Sequence, residues 1–273
     1  MAAALVETRT YYVGTNTWLS TTVDSIGKIK VPATMTREDI VPKPTTMPAE
    51  LEGLCDDAWS WEEQELEPDF AQLEIGGIKN RSVMFHPTWS RGTVAVRATK
   101  PLDKDGVHYW EIRISERLFG TSMMFGIGSA KTRLNLYDFI NVLGENEHSW
   151  GLNHRGVLWH KGVDRPFTEP FAENTTTTVG LLYRRGTLTY YRDGKCLGEA
   201  FKGLENYDGE LFPMIASTAA KTEMVLGAAK REYDSLRDRC RAVISACVGD
   251  SEDCEKLKLP SRLIKYIKES HPE

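Results

Sequence analysis

Two stretches decide the fold of this chain: residues 107–116, VHYWEIRISE, and residues 122–129, SMMFGIGS. In the first stretch, side chains alternate between two faces with a period of two, which predicts a β-strand. One face carries His108, Trp110, Ile112 and Ile114. The second stretch is an almost continuous apolar run with two glycines, which is typical of a central strand that neighbouring backbone approaches closely.

Further short β-type runs surround these two stretches. They lie at about residues 70–75, 82–86, 93–98, 157–160, 177–183, 186–191, 195–201, 211–217 and 223–226. Asp193-Gly194 between two of the runs is a strong signal for a tight β-hairpin. Because no amphipathic helix separates the strands, the sequence predicts a mainly β fold, an antiparallel β-sandwich, and not a parallel α/β fold.

The pattern becomes helical near the carboxyl end of the chain. An apolar stripe spaced i, i+4, i+7, i+8 and i+11 predicts a helix over residues 234–248. The stripe consists of Leu236, Cys240, Val243, Ile244 and Cys247. Asp234 or Ser235 could cap this helix, and a second short helix is predicted after Pro260. Because two small helices bury little surface by themselves, the stripe must pack on the β domain or on another protein.

The first part of the chain has a different composition. Residues 1–55, rich in proline, threonine and serine, are predicted to be a disordered or extended arm. Residues 51–74 hold nine acidic residues and no lysine or arginine, with Trp59 and Trp61 among them. Either this acidic stretch is solvated while its two tryptophans dock on the β domain, or it binds a partner.

Composition and motifs narrow the class of function. A net charge of −5 argues against a general nucleic-acid binder or a protein held on an anionic membrane. No apolar run approaches the roughly 20 residues of a membrane span, and no secretory signal is recognisable. The five cysteines are an odd number without a C-x-x-C pair, which indicates reduced thiols in the cytoplasm or the nucleus and no metal site.

Known catalytic motifs are absent from the sequence. There is no phosphate-binding P-loop, no H-E-x-x-H and no G-x-S-x-G, and the six histidines are scattered. We therefore predict no catalytic residue and no cofactor. An enzyme whose catalytic residues come together only on folding stays open as an alternative.

Several segments carry a family resemblance. Residues 92–98, 110–114, 120–129, 143–144, 149–151, 186–191 and 212–213 resemble the B30.2/SPRY domain. Residues 235–244, SLRDRCRAVI, fit the pattern [S/T/P]-L-x-x-x-C-x-x-x-Φ of the elongin-binding segment in SOCS boxes. Together they resemble the SPRY domain-containing SOCS box proteins, and residues 119–124 and 213–220 are most similar to the type 3 member.

The resemblance implies a division of the chain. Residues 56–228 would be the substrate-recognition SPRY domain, and residues 229–273 the SOCS box. Within the box, residues 234–248 would bind elongin through Leu236, Cys240, Val243 and Ile244. Residues 257–269 would contact a cullin through Leu259 and Pro260.

The same resemblance implies a function. The chain would be the non-catalytic substrate-recognition subunit of a cullin-RING E3 ubiquitin ligase with elongin B and elongin C. Cullin-5 is favoured over cullin-2. The ligase would promote ubiquitination and proteasomal degradation of proteins that carry short, asparagine-rich degrons. A SPRY scaffold without ligase activity is the alternative, and in either case the protein would be cytoplasmic, nuclear or both.

Local matching to the family places the degron-binding surface at one end of the sandwich. The implied residues are Thr88, Trp89, Ser90, Gly120, Thr121, Phe139, Val142, Thr218, Ala219 and Ala220. Phe139 stands where other members have tyrosine, and residues 218–220 stand where they have Val-Trp-Gly. Lys258 occupies a position that is proline in the usual L-P-Φ-P cullin motif. Because Phe139 and residues 218–220 differ from the other members, we expect an asparagine-containing degron with a different flank.

Overall fold

The computed structural model describes residues 8–13, 17–23, 29–30, 48, 51, 53–63, 73–114, 120–171, 176–233, 235–248 and 252–268. The chain divides into two compact units, Met1–Thr46 and Met47–Glu273. The first unit contains an antiparallel sheet of β1 (Thr8–Val13), β2 (Thr17–Val23) and β3 (Ile29–Lys30). These strands were not predicted from the sequence. Threonine, tyrosine and valine favour strands, but they do not alternate with polar residues here in a readable pattern.

The second unit contains fifteen further strands among its described residues. In chain order they are β4 (Cys55–Asp56), β5 (Leu73–Gly76), β6 (Ser82–Phe85), β7 (Thr93–Arg97), β8 (Val107–Ile114), β9 (Met123–Gly128), β10 (Asn135–Leu136), β11 (Ser149–Asn153), β12 (Val157–His160), β13 (Val163–Pro166), β14 (Thr177–Arg184), β15 (Thr187–Arg192), β16 (Lys195–Phe201), β17 (Phe212–Ser217) and β18 (Thr222–Arg231).

These strands form two antiparallel sheets that enclose the main core. Sheet I has the order β10-β7-β17-β9-β11-β12-β13, and sheet II has the order β16-β15-β14-β8-β18-β6-β5, with β4 added on β18. Trp110 and Ile112 of sheet II and Phe125 of sheet I belong to the same buried cluster. The predicted class, a mainly β antiparallel sandwich followed by a small helical region, is confirmed.

The two deciding stretches lie at the centre of the sheets. Strand β8 lies between β14 and β18, and β9 lies between β17 and β11. Gly126 of β9 is required because a Cβ atom there would lie 2.0 Å from the Trp150 carbonyl oxygen. The hairpin prediction is also confirmed, since Asp193 and Gly194 join β15 to β16 with φ angles of 49° and 80°.

The outer face of β8 is covered by the segment that precedes the first long strands. Tyr109 of β8 packs in a second buried cluster with Leu51, and its hydroxyl donates a 2.9 Å hydrogen bond to Glu111. Trp61 is almost fully buried, and its indole N–H donates to the Arg81 carbonyl oxygen at 3.2 Å. Trp59 is partly buried against the same core and meets the Trp61 ring edge-on at 5.3 Å. Of the two interpretations of the acidic stretch, docking of the two tryptophans therefore holds. Residues 64–72 of the stretch lie outside the described residues.

The C-terminal region contains two α-helices, as predicted: α1 (Leu236–Val248) and α2 (Ser261–Lys268). A 3-10 helix at Glu252–Lys256 lies between them. Ser235 caps α1, since its hydroxyl accepts a 3.1 Å hydrogen bond from the Asp238 backbone N–H. The carbonyl oxygen of Pro260 accepts the N–H of Leu263 at 2.8 Å and that of Ile264 at 3.2 Å, so Pro260 directly precedes the first turn of α2.

Candidate functional site: the loop end of the sandwich and the C-terminal helices

One end of sheet I brings the predicted binding loops together. Val94 at the start of β7 pairs with Ser217 at the end of β17, and Ser217 pairs with Met123 at the start of β9. The loops before β7, before β9 and after β17 therefore meet at the same edge. We call this edge, formed by residues 86–92, 120–122, 137–142 and 218–221, the loop end.

The segments around residues 120 and 218 are joined by three hydrogen bonds. The Ser122 N–H donates to the Thr218 hydroxyl oxygen at 2.9 Å, and that hydroxyl donates to the Ser122 carbonyl oxygen at 3.0 Å. The Thr218 N–H donates to the same carbonyl at 2.9 Å. Gly120 has φ of 94°, and a Cβ atom there would lie 3.1 Å from the Ala219 Cβ. A glycine is therefore needed for the two segments to approach so closely.

The loops around residues 89 and 139 are held together in a similar way. The Thr93 hydroxyl donates to the Asp138 carbonyl oxygen at 2.7 Å and accepts the Ile140 N–H at 3.0 Å. Gly92 has φ of 147°, and a Cβ atom there would lie 2.0 Å from the Leu136 carbonyl oxygen. These contacts fix the positions of both loops before any ligand binds.

The structure separates the predicted loop residues by exposure. Thr88, Trp89, Gly120, Thr121 and Phe139 are exposed, whereas Ser90 and Ala220 are half-buried. Val142, Thr218 and Ala219 are buried. Val142 packs in a small core cluster with Met124 and Leu136, so its side chain supports the loop end from below. A ligand approaching from solvent would meet the exposed group first.

Three residues of the loop end were not predicted from the sequence. Tyr137 is 69% exposed, directly follows β10 and stands two residues before the exposed Phe139. The side-chain oxygen of Asn141 accepts a 2.7 Å hydrogen bond from the Ser122 hydroxyl and so joins two loops. His86 is fully buried and donates from Nε2 to the Ser217 carbonyl oxygen at 3.0 Å. No local motif distinguishes these residues, because their roles depend on contacts between loops distant in sequence.

Burial sets the protonation of His86. Removal from water lowers the pKa of the His86 imidazole, although its hydrogen bond to the Ser217 carbonyl acts in the opposite direction. The hydrogen bond to the Ser217 carbonyl oxygen requires a proton on Nε2, and the lowered pKa favours the neutral ring. The His86 ring therefore holds the end of β17, from which residues 218–220 continue.

The second candidate surface is the outer face of α1. Leu236 is 75% exposed and Val243 is 57% exposed, and Cys240 and Cys247 are exposed as well. Ile244 is half-buried. The interpretation that the apolar stripe packs on this chain's own β domain is wrong for these four exposed positions. An exposed apolar stripe is a candidate interaction surface.

The other face of α1 packs against α2. The guanidinium groups of Arg237 and Arg241 lie over the Tyr266 ring at 4.4 and 4.3 Å from its centre. The Tyr266 hydroxyl donates to the Asp238 carboxylate. Hydrogen bonds from Ser235 and Tyr266 lower the pKa of the Asp238 carboxyl group. These contacts orient α1 so that its apolar stripe faces away from α2.

The predicted cullin residues are also at the surface. Leu259 is 36% exposed, and Pro260 is exposed at the start of α2. Leu263 in the first turn of the helix is 46% exposed, whereas Ile267 is buried. The first turn of α2 is therefore exposed at Leu263, whereas Ile267 near its C-terminal end lies inside the protein.

Other kinds of site receive little support from the described part of the chain. A cleft of about 470 Å³ lies at the opposite end of sheet I from the loop end and is lined by residues that include Trp150, His160, Phe201 and Tyr207. No three histidine, cysteine, aspartate or glutamate side chains in the described ranges are grouped as a metal site would require. No described helix combines the length and apolar character needed to cross a membrane.

Comparison with known proteins identifies the β domain. The family model of the SPRY domain matches residues 107–230, from the first residue of β8 almost to the end of β18. The chain contains a SPRY domain. The crystal structure of the TRIM65 PSpry domain is similar at 18% identity, with a TM-score of 0.45, and covers 62% of this chain and 91% of that one.

Curated relatives of this SPRY protein confirm the predicted family resemblance. SPRY domain-containing SOCS box protein 3 of Xenopus tropicalis is 39% identical over 191 residues, which are 69% of this chain and 52% of that protein. SPRY domain-containing SOCS box protein 1 of Bos taurus is 28% identical over 197 residues, 67% of this chain and 71% of that protein. The type 3 protein is thus more similar than the type 1 protein. The SPRY chain spans about half the length of the type 3 relative.

Proposed function

We propose that this SPRY protein is the substrate-recognition subunit of a cullin-RING E3 ubiquitin ligase. Its loop end would hold a short asparagine-containing degron, and α1 would bind elongin C, accompanied by elongin B. Residues 257–269 would contact cullin-5 in preference to cullin-2. Bound clients would be ubiquitinated and then degraded by the proteasome, in the cytoplasm, the nucleus or both.

One observation carries this proposal: the apolar stripe of α1 faces solvent. Leu236, Cys240 and Val243 lie on one side of the helix and are all exposed, in the pattern of an elongin-binding segment. An exposed amphipathic helix gains free energy when its apolar face enters a hydrophobic groove of a partner. The small Cys240 side chain would allow the partner helix to approach closely.

The loop end supports the substrate half of the proposal. Exposed Trp89 and Phe139 offer aromatic surface, and the hydroxyl of Thr121 and the backbone of Gly120 lie between loops that are already fixed. An asparagine side chain both donates and accepts hydrogen bonds, so a site built to satisfy it would penalise an analogue that leaves the site's own polar groups unpaired. The function would then be proximity alone: the subunit raises the local concentration of a client lysine at the ligase.

Capture of elongin C tests the ligase half. The double variant Leu236→Ala, Cys240→Phe should lose elongin B/C in a pull-down, whereas Arg239→Ala, also at an exposed position of α1, should retain it. Thermal unfolding of the SPRY domain should be unchanged in both variants. Normal elongin capture by the double variant would contradict the proposal.

Peptide binding tests the substrate half. A panel of asparagine-containing peptides should bind the full chain at saturable levels, and replacement of the asparagine by aspartate or leucine should abolish binding. A Thr121→Val variant should bind more weakly, and a Thr187→Val variant in β15, away from the loop end, should not. Binding that does not depend on asparagine would refute the degron assignment.

The alternative function is a SPRY scaffold that binds partners without ligase activity. It shares the loop end with the main proposal and differs at α1, so co-purification with elongins and a cullin separates the two. A catalytic function ranks below both. In the part of the chain that the structure describes, the exposed loop residues do not include a histidine beside a serine or cysteine nucleophile.

A further inference from the structure

Two segments of the loop end cross from one sheet to the other. Residues 86–92 lead from β6 in sheet II to β7 in sheet I, and residues 218–221 lead from β17 in sheet I to β18 in sheet II. We call these segments the first and the second crossover. Between them they carry the implied client residues Thr88, Trp89, Ser90, Thr218, Ala219 and Ala220. The position of one crossover relative to the other therefore decides what a client meets.

An unusual backbone conformation marks the place where the crossovers meet. His86 and Lys221 have φ angles of 48° and 56°, in the left-handed region that residues other than glycine rarely adopt. The other described non-glycine residues with positive φ lie in hairpin turns between neighbouring strands of one sheet, and they are Lys79, Asn80, Lys161, Arg185 and Asp193. A left-handed residue outside a hairpin turn persists only where the surrounding contacts hold it, and such residues collect at functional sites.

His86 holds both ends of the second crossover. Its Nε2–H donates to the Ser217 carbonyl oxygen at 3.0 Å, and its own carbonyl oxygen accepts the Lys221 N–H at 2.9 Å. Ser217 is the last residue of β17, and Lys221 is the last residue before β18. Between these two points the Ser217 hydroxyl oxygen accepts the Ala219 N–H at 3.0 Å. The second crossover is thus fixed at both ends by a single residue, which is also the first residue of the other crossover.

We infer that His86 is a positioning residue for client binding, which sets the two crossovers relative to each other and does not itself contact the client. This inference rests on the proposed function and adds a residue behind the exposed loop surface. His86 is fully buried, so a client cannot reach its side chain. Without the bond from Nε2, the second crossover is free to take other positions. The affinity for a client then falls in proportion to the fraction of molecules in which both crossovers are correctly placed.

Two substitutions separate the side-chain bond from the backbone conformation. The side-chain amide of glutamine lies about as far from the backbone as Nε2 of histidine, so His86→Gln can keep the bond to Ser217. Asparagine accepts the left-handed conformation more readily, but its shorter side chain does not reach the Ser217 carbonyl oxygen. For an asparagine-containing peptide, we expect His86→Gln to change the dissociation constant less than about twofold and His86→Asn to raise it about tenfold.

A stability control distinguishes positioning from a general loss of stability. Leu188 of β15 is fully buried in the main core and pairs with Tyr183, at the opposite end of sheet II from the loop end. Leu188→Ala should destabilise the protein at least as much as His86→Asn and change peptide affinity less than about twofold. Binding is measured at a temperature at which unfolding curves show every variant folded. Hydrogen exchange of residues 218–221 should be faster in His86→Asn than in the wild type or in Leu188→Ala.

The outcomes separate the inference from the function on which it rests. Equal affinities of His86→Gln and His86→Asn would overturn the inference and leave the proposed function standing. So would a weaker affinity in His86→Gln than in His86→Asn, because the backbone conformation and not the side-chain bond would then place the crossovers. A comparable loss of affinity in Leu188→Ala would also overturn it, because affinity would then follow stability. Failure of the folded wild type to bind any asparagine-containing peptide would overturn the degron assignment and this inference together.

Discussion

Replacing Leu236 by alanine should weaken elongin C binding without destabilising the protein. The Leu236 side chain is 75% exposed in the free chain, so its removal leaves no cavity. An exposed substitution of this kind changes the free energy of unfolding by no more than about 0.5 kcal/mol. A leucine packed inside the chain would instead cost about 2–5 kcal/mol on truncation.

The expected loss of affinity follows from the same exposure. Full burial of a leucine side chain contributes about 1.5–3 kcal/mol, so burying the exposed three quarters should contribute about 1.1–2.3 kcal/mol. That range corresponds to a dissociation constant about 6- to 40-fold higher for Leu236→Ala. Titration calorimetry with purified elongin B/C measures this change directly, and denaturant unfolding measures the stability of the same sample.

A matched variant sharpens the comparison. Ile267 on α2 is 3% exposed, so Ile267→Ala should lower the stability of the helical region and affect elongin binding only through that loss. Two results for Leu236→Ala would refute this prediction. One is an unchanged affinity for elongin B/C, and the other is a free energy of unfolding lowered by about 2 kcal/mol or more.

Three further predictions concern the loop end. Thr218→Val should lower the free energy of unfolding by about 1–3 kcal/mol, because the buried Ser122 N–H loses its acceptor. Denaturant unfolding measures this change. An unchanged free energy of unfolding would contradict the role assigned to the Thr218 hydroxyl. Trp89→Ala should weaken binding of an asparagine-containing peptide about 30-fold and leave the stability of the protein unchanged, as expected for an exposed aromatic anchor. Ile78→Ala, at another exposed apolar position, is the control. Equal peptide binding by the two variants would show that Trp89 is not part of the site. Because burial lowers the pKa of His86, the unfolded chain binds its proton more readily, so stability should decrease as pH falls below about 6.5. Between pH 7.5 and 5, the free energy of unfolding should decrease less for His86→Asn than for the wild type. Identical pH dependence in the two proteins would show that His86 does not contribute.

The sequence predicted the fold where side-chain periodicity was clear. Strands β12 (Val157–His160) and β16 (Lys195–Phe201) were placed to the residue, and α1 was recognised from its stripe. The two-residue strand β4 was missed because an alternating pattern cannot be recognised in two residues. Strand β13 was missed because all four of its residues are exposed at a sheet edge, so alternation cannot reveal it.

The sequence predicted which loops form the candidate site, but not which of their residues are exposed and which are buried. A family pattern places Val142 and Phe139 on the same loop, but only packing shows that Val142 is buried and Phe139 is exposed. Tyr137 was not selected because its exposure depends on packing and no motif marks it. The helix surfaces were more predictable, because amphipathic spacing on a short helix leaves few ways to arrange an apolar stripe.

The pairing of β8 with β18 has a consequence for synthesis of the protein. Ile114 of β8 pairs with Met224 of β18, so sheet II stays open until the ribosome has released nearly the whole β domain. Helix α1 begins five residues after β18 ends, and it leaves the ribosome only after that last interior strand. A growing chain therefore exposes α1 only after the strand that completes the β domain has been made.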